Sequence, residues 1–238
     1  MPYTVALCGR GGTALRLQDA SVGIMQTLVP TPLGDARISR FPAIGTCRAA
    51  LLLGHGAGGG VDAPDLQALA ATLPPGGVEV VLVEQPWRVA GKRLGPAPKS
   101  LDVGWHAVME WWRAQPSSGA DGVPVIVGGR SAGARVACRA GADTGARGVL
   151  ALAFPLHPPG KPEKSRLEEL LRSRLPTLVV QGAVDPFGTP AEFPPLPPSH
   201  RLVALPAGNH GFGVGKGHEP VLGEITRAVA EWIDSLVS

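Results

Sequence analysis

The chain has 238 residues, 44% of them apolar and 17% charged, enough to bury a core within one α/β domain. Its 22 basic and 19 acidic residues leave a net charge of +3, too small an excess for a nucleic-acid-binding tail. Three cysteines without C-x-x-C spacing support neither a disulfide framework nor a zinc site. Glycine (33) and proline (25) far exceed their usual combined share of roughly 12%. They punctuate strong apolar runs, so the excess belongs to turns and loops, and 17 Arg against 5 Lys reads as the imprint of a GC-rich genome. No run of about 18 apolar residues and no apolar N-terminal leader stretch is present, which predicts a cytoplasmic protein without membrane association.

Residues 1–25 show little periodicity and read as an N-terminal extension of uncertain order; residues 26–238 read as a single domain. Apolar runs at 36–40, 49–53, 78–83, 123–127, 148–153, 177–181 and 201–205 predict strands. Helical spacing falls at 64–73, 101–114, 132–142, 164–173 and 219–236, the last with Ile225, Val229, Trp232 and Ile233 on one face. Strands apolar at nearly every position, alternating with helices, predict a mostly parallel, doubly wound sheet with helices on both faces. The Pro-rich stretches 155–162 and 186–198 read as long loops on the side where such a sheet binds ligands. The segment 155–176 has room for one short helix, so no large cap domain is expected.

The strand run ending at Val127 leads into GGRSAGAR (128–135) and then a helix-prone stretch, which places Gly129, Ser131 and Gly133 in a G-x-S-x-G turn between strand and helix. A tight, strained turn of this kind projects a serine from the sheet edge, and the flanking glycines leave room for it. An activated serine needs a base and a group that orients the base. Asp185 follows the 177–181 run and His210 follows the 201–205 run, 54 and then 25 residues further on, the order in which acid and histidine follow a serine in this context. His218 competes with His210 as the base, whereas Asp143 lies at the wrong end of its helix. An oxyanion needs two backbone donors: Ala132, directly after the serine, supplies one, and the glycine-rich loop HGAGGG (55–60) the other, at Ala57 or, failing that, Gly58. That loop lacks the G-K-[ST] ending of a phosphate loop, and His55 reads as its brace. Arg130 and the basic stretch Arg88, Lys92, Arg93 and Lys99 read either as contacts to an anionic substrate or as a solvated face. His157 reads either as a substrate contact or as part of a Pro-rich wall.

Taken in order, HGAGG, EQPWR, GGRSAGAR, PLHPPGKPE, QGAVDPFG and GNHGF make the chain resemble α/β-hydrolase-fold proteins related to dienelactone hydrolases. Within that group it is most similar to bacterial hydrolases that also resemble the hydrolase-like subunit of the non-specific lethal chromatin complex. The resemblance runs from about Thr31 to the C-terminus. It implies an eight-stranded-type hydrolase sheet and a filled Ser131, Asp185, His210 triad, with Ser131 where dienelactone hydrolases proper carry cysteine. The expectation is a serine hydrolase acting on an ester or thioester of a small molecule, with no metal, cofactor or nucleic-acid partner. An acyltransferase using the same triad, or a non-catalytic module retaining the fold, are the alternatives.

Overall fold

The structure is a computed structural model that describes residues 24–93, 95–115, 122–216 and 220–238. Eight strands form one sheet in the order β1-β2-β4-β3-β5-β6-β7-β8. They are β1 Met25–Val29, β2 Ala36–Phe41, β3 Ala49–Gly54, β4 Val78–Glu84, β5 Val125–Arg130, β6 Gly148–Leu152, β7 Thr177–Gln181 and β8 His200–Ala204. From β4 to β8 the pairing is parallel; β2 runs antiparallel to both β1 and β4. Strands β3, β6 and β7 are buried at every residue, which is why their sequences are continuous Ala, Leu and Val runs without alternation.

Six helices cover the two faces: α1 Pro64–Thr72, α2 Pro86–Val89, α3 Pro98–Arg113, α4 Ala132–Ala140, α5 Leu167–Leu171 and α6 Leu222–Val237. One core packs α3, α4 and α5 on the sheet through Trp105, Met109, Trp112, Val136 and Leu170. The other packs α1 and α6 through Leu66, Leu69, Ile225, Val229 and Ile233. Each fully buried Leu or Ile of this kind contributes about 2 kcal/mol of transfer free energy. Helices α1, α2 and α3 each begin at proline, which suits the first helical position because its missing N–H is one that has no partner there. Among the described residues no helix is long and apolar enough to cross a membrane.

The chain reverses its progress across the sheet at β3: the next strand lies on one side of it and β5 on the other. The loops leaving β3 and β5 therefore part at this point and open a crevice at the carboxyl ends of the strands. Among the described residues no cap intrudes, because the segment between β6 and β7 carries only the five-residue α5.

Several boundaries differ from the sequence reading. Strand β1 lies at the start of the expected domain, and α2 is a further short helix. Strand β5 extends through both glycines to Arg130, three residues beyond the expected end at 127. The helix expected over 164–173 is confined to Leu167–Leu171. Strand β6 stops at Leu152 because Ala153 adopts a left-handed φ of 45°. Residues 1–23, and with them most of the proposed N-terminal extension, lie outside the described residues, as does His218.

Candidate active site

Ser131 stands between β5 and α4 with φ 53° and ψ −110°, a backbone conformation that L residues adopt only under constraint. The constraint is legible in the two glycines of the motif. A Cβ at Gly129 or at Gly133 would lie 2.5 Å from the carbonyl oxygen of Gly54, so the turn packs backbone to backbone on the end of β3. The Ser131 amide donates to the Leu152 carbonyl at 2.9 Å, which ties the turn to β6 as well. Any side chain at 129 or 133 would push the serine out of place.

The turns after β7 and β8 bring the other two residues to it. His210 Nε2 lies 2.8 Å from Ser131 Oγ, and His210 Nδ1 lies 2.8 Å from Asp185 Oδ2. Asp185 is fully buried. Gln181 Nε2 donates to its Oδ2 at 2.9 Å and the Phe187 amide donates to its Oδ1 at 2.8 Å, so the carboxylate is fixed in position and its charge compensated by dipoles. The Phe187 ring lies against the imidazole, centroids 4.2 Å apart, and limits its rotation. Gln181 and Phe187 are supporting residues that the sequence reading missed. Both sit within four residues of Asp185, and a buried Gln closing an otherwise apolar strand was the available signal.

A cavity of about 460 Å³ opens above these groups, within the range of small-molecule sites. Gly56, Ala57, Gly58, Ser131, Ala132 and His210 are among its lining residues. Ala132 is the first residue of α4, where N–H groups have no intrahelical partner and face outward at the positive end of the helix. Ala57 and Gly58 are exposed on the loop after β3. His55 secures that loop. Its Nε2 accepts the Gln85 amide at 3.1 Å, so the Nδ1–H donates to the Gly56 carbonyl at 2.9 Å, and burial lowers its pKa and keeps it neutral.

Arg130 lines the cavity, as the sequence led one to expect, and part of its guanidinium faces protein groups. Nη2 donates to the His210 carbonyl at 2.9 Å, and Nε lies 3.4 Å from Oδ2 of Asp65, a fully buried residue of α1. Burial pushes the Asp65 carboxyl above its ordinary range; Arg130 and the amides at the start of α1 offset only part of that cost. Arg130 thus stands in the cavity wall while its Nη2 ties the histidine loop and its Nε faces α1. His157 is not among the residues that line the cavity. It is buried away from the cavity, its Nδ1 2.9 Å from the Pro158 carbonyl and its Nε2 3.0 Å from Glu192, where it joins the two Pro-rich loops. Arg88, Lys92, Arg93 and Lys99 do not reach the cavity; Arg135 and Arg166, which sequence reasoning passed over, do. Among the described residues no group of three or more His, Cys, Asp or Glu side chains is placed to hold a metal ion.

Comparison with known proteins agrees with the architecture. A serine hydrolase without lid from Xanthomonas campestris superposes with a TM-score of 0.69 at 20% identity, covering 90% of this chain and 95% of that one. A dienelactone hydrolase from Anabaena variabilis gives 0.67 at 18% identity, with 91% and 99% covered. Est1E from Butyrivibrio proteoclasticus gives 0.68 at 14% identity, with 89% and 98% covered. These likenesses are of fold. A family model described as alpha/beta hydrolase domain matches residues 47–237, nearly the whole of the described domain, and the chain belongs to that family.

Proposed function

We propose that this protein is a serine hydrolase that cleaves an ester or thioester of a small substrate through an acyl-enzyme on Ser131. The observation that carries the reading is the unbroken chain of 2.8 Å contacts from Ser131 through His210 to buried Asp185, at a strained turn beneath an open cavity. Ser131 Oγ attacks the acyl carbon while His210 Nε2 takes its proton. Asp185 accepts from His210 Nδ1–H, which selects the tautomer with a free Nε2 and stabilises the imidazolium that forms. The backbone amides of Ala57 and Ala132 hold the oxyanion, each on a segment already fixed before substrate arrives. Collapse of the tetrahedral adduct expels the alcohol or thiol, which takes the proton from His210. Water, activated by the same imidazole, then frees the acid and restores the serine.

The absence of a cap on the described domain favours small or accessible acyl groups. Within the family we place the chain beside bacterial hydrolases similar to the hydrolase-like subunit of the non-specific lethal chromatin complex, on the strength of PLHPPGKPE and QGAVDPFG. A fluorophosphonate probe tests the reading. Covalent labelling that maps to the Ser131 peptide and vanishes in Ser131→Ala supports it. Folded wild-type protein that takes up no label indicates a non-catalytic module instead, and product formed only with an added alcohol or amine acceptor indicates an acyltransferase.

A further inference from the structure

The cavity around Ser131 is lined by three arginines, Arg130, Arg135 and Arg166, and by no carboxylate. Two of the three are compensated. Arg130 has Asp65. Arg135 forms a two-pronged pair with Glu169, Nε to Oε2 at 2.9 Å and Nη2 to Oε1 at 2.6 Å. Glu169 also accepts from Arg139 Nη1 at 2.6 Å, and Arg139 grips Asp102 with its other two nitrogens at 2.9 and 2.6 Å. Burial opposes the charge on Glu169, but these two arginines hold its carboxyl below the ordinary range, so it is ionised and fully engaged.

Arg166 is the one left over. Its Nη1 donates to the Pro155 carbonyl at 3.0 Å, and among the described residues no carboxylate lies within 4.0 Å of it. Arg135, Arg139 and Arg166 carry three positive charges against the two negative charges of Asp102 and Glu169. A half-buried guanidinium beside another arginine is an unfavourable place for a cation unless an anion completes it. Burial and, after it, the neighbouring Arg135 weaken its hold on its proton, and the charge of Glu169, beyond ion-pair distance, offsets only part of this. Its orientation is set in advance by the Pro155 carbonyl, and the remaining donors of the planar fork suit a carboxylate or phosphate.

We propose that Arg166 forms an anion subsite in the Ser131 cavity, and that the substrate carries a carboxylate or phosphate group that binds it while its acyl carbon meets Ser131. The inference rests on the hydrolase reading above and assigns a substrate class to the same site. Positive charge for the substrate thus comes from the segment after β6, not from the basic stretch 88–99.

Two matched ester pairs test it, one with the charge on the acyl side (4-nitrophenyl hydrogen glutarate against 4-nitrophenyl pentanoate) and one with it on the leaving group (3-carboxyphenyl acetate against phenyl acetate). The expected result is a kcat/KM preference of at least tenfold for the anionic member in one pair, reduced to within twofold of unity in Arg166→Gln and partly kept in Arg166→Lys. A wild-type preference near unity in both pairs, or a preference unaltered by Arg166→Gln, overturns the subsite while the neutral-ester rates still report on Ser131. Calorimetric titration with glutarate and with inorganic phosphate is independent of turnover. At least tenfold weaker binding of one of them to Arg166→Gln than to wild type supports the subsite and tells carboxylate from phosphate. Equal or undetectable binding to both proteins overturns it, even if no ester is cleaved.

Discussion

Two carboxylates are fully buried on either side of the histidine loop, and they are treated in opposite ways. Asp185 receives three hydrogen bonds, from Gln181, the Phe187 amide and His210. Asp65 has no partner of good hydrogen-bond geometry, only Arg130 at 3.4 Å and the amides at the start of α1. A buried charge is tolerable when fixed dipoles replace the lost water, and costly when one distant cation must do so. The difference separates the two tasks around His210. In the mechanism proposed above, Asp185 selects the tautomer of the imidazole, while Asp65 and Arg130 set where its backbone sits.

The comparison breaks first, and by the largest amount, at Asp185. Asp185→Asn should lower kcat for a 4-nitrophenyl ester by on the order of 10⁴ with the fold intact, because the amide can donate to Nδ1 and stabilise the wrong tautomer. A loss of tenfold or less would put Asp185 in the same merely positional class as Asp65.

Arg130→Met is expected to show its main effect on stability. It leaves Asp65 buried without a cation and should cost about 3 kcal/mol at neutral pH by chemical denaturation. The double variant Arg130→Met with Asp65→Leu should regain most of that stability while kcat stays at least tenfold down, since the His210 carbonyl still lacks its donor. A double variant with wild-type kcat would show that the loop needs no such anchor.

The smallest expected effect sharpens the electrostatic half of the contrast. The folded-state pKa of Asp65 is raised by burial, so its contribution to stability is complete below the unfolded value and lost as pH rises through the folded one. Asn has no such dependence. The melting temperature of Asp65→Asn relative to wild type should therefore climb as the pH rises above about 4. A difference that falls over that range would mean that Arg130 more than repays the burial of Asp65.

What could be read from sequence follows the same division. Strands β3, β4, β6 and β7 were legible because burial on both sheet faces demands runs such as LLL and VVLV, which no solvent-facing segment would carry. Strand β1 was not, since four of the five residues in MQTLV are exposed and no alternation marks it. Ser131, Asp185 and His210 were placed by turn chemistry and chain order, and the structure brings them within hydrogen-bond reach of one another. The charged contacts were left open between two readings for a physical reason. Nothing near Arg130 in the chain announces Asp65, 65 residues earlier, and nothing near Arg166 announces that Glu169 is engaged by α4. Local spacing identifies a nucleophile; only the assembled fold shows which cations have already been neutralised.

The central claim is that Ser131 carries the reaction, and turnover of a short-chain 4-nitrophenyl ester by wild type and Ser131→Ala tests it most directly. If serine, histidine and aspartate act as one unit, the variant loses on the order of 10⁶ in kcat while its melting curve is unchanged. Ester cleavage by Ser131→Ala at the wild-type rate would contradict the account.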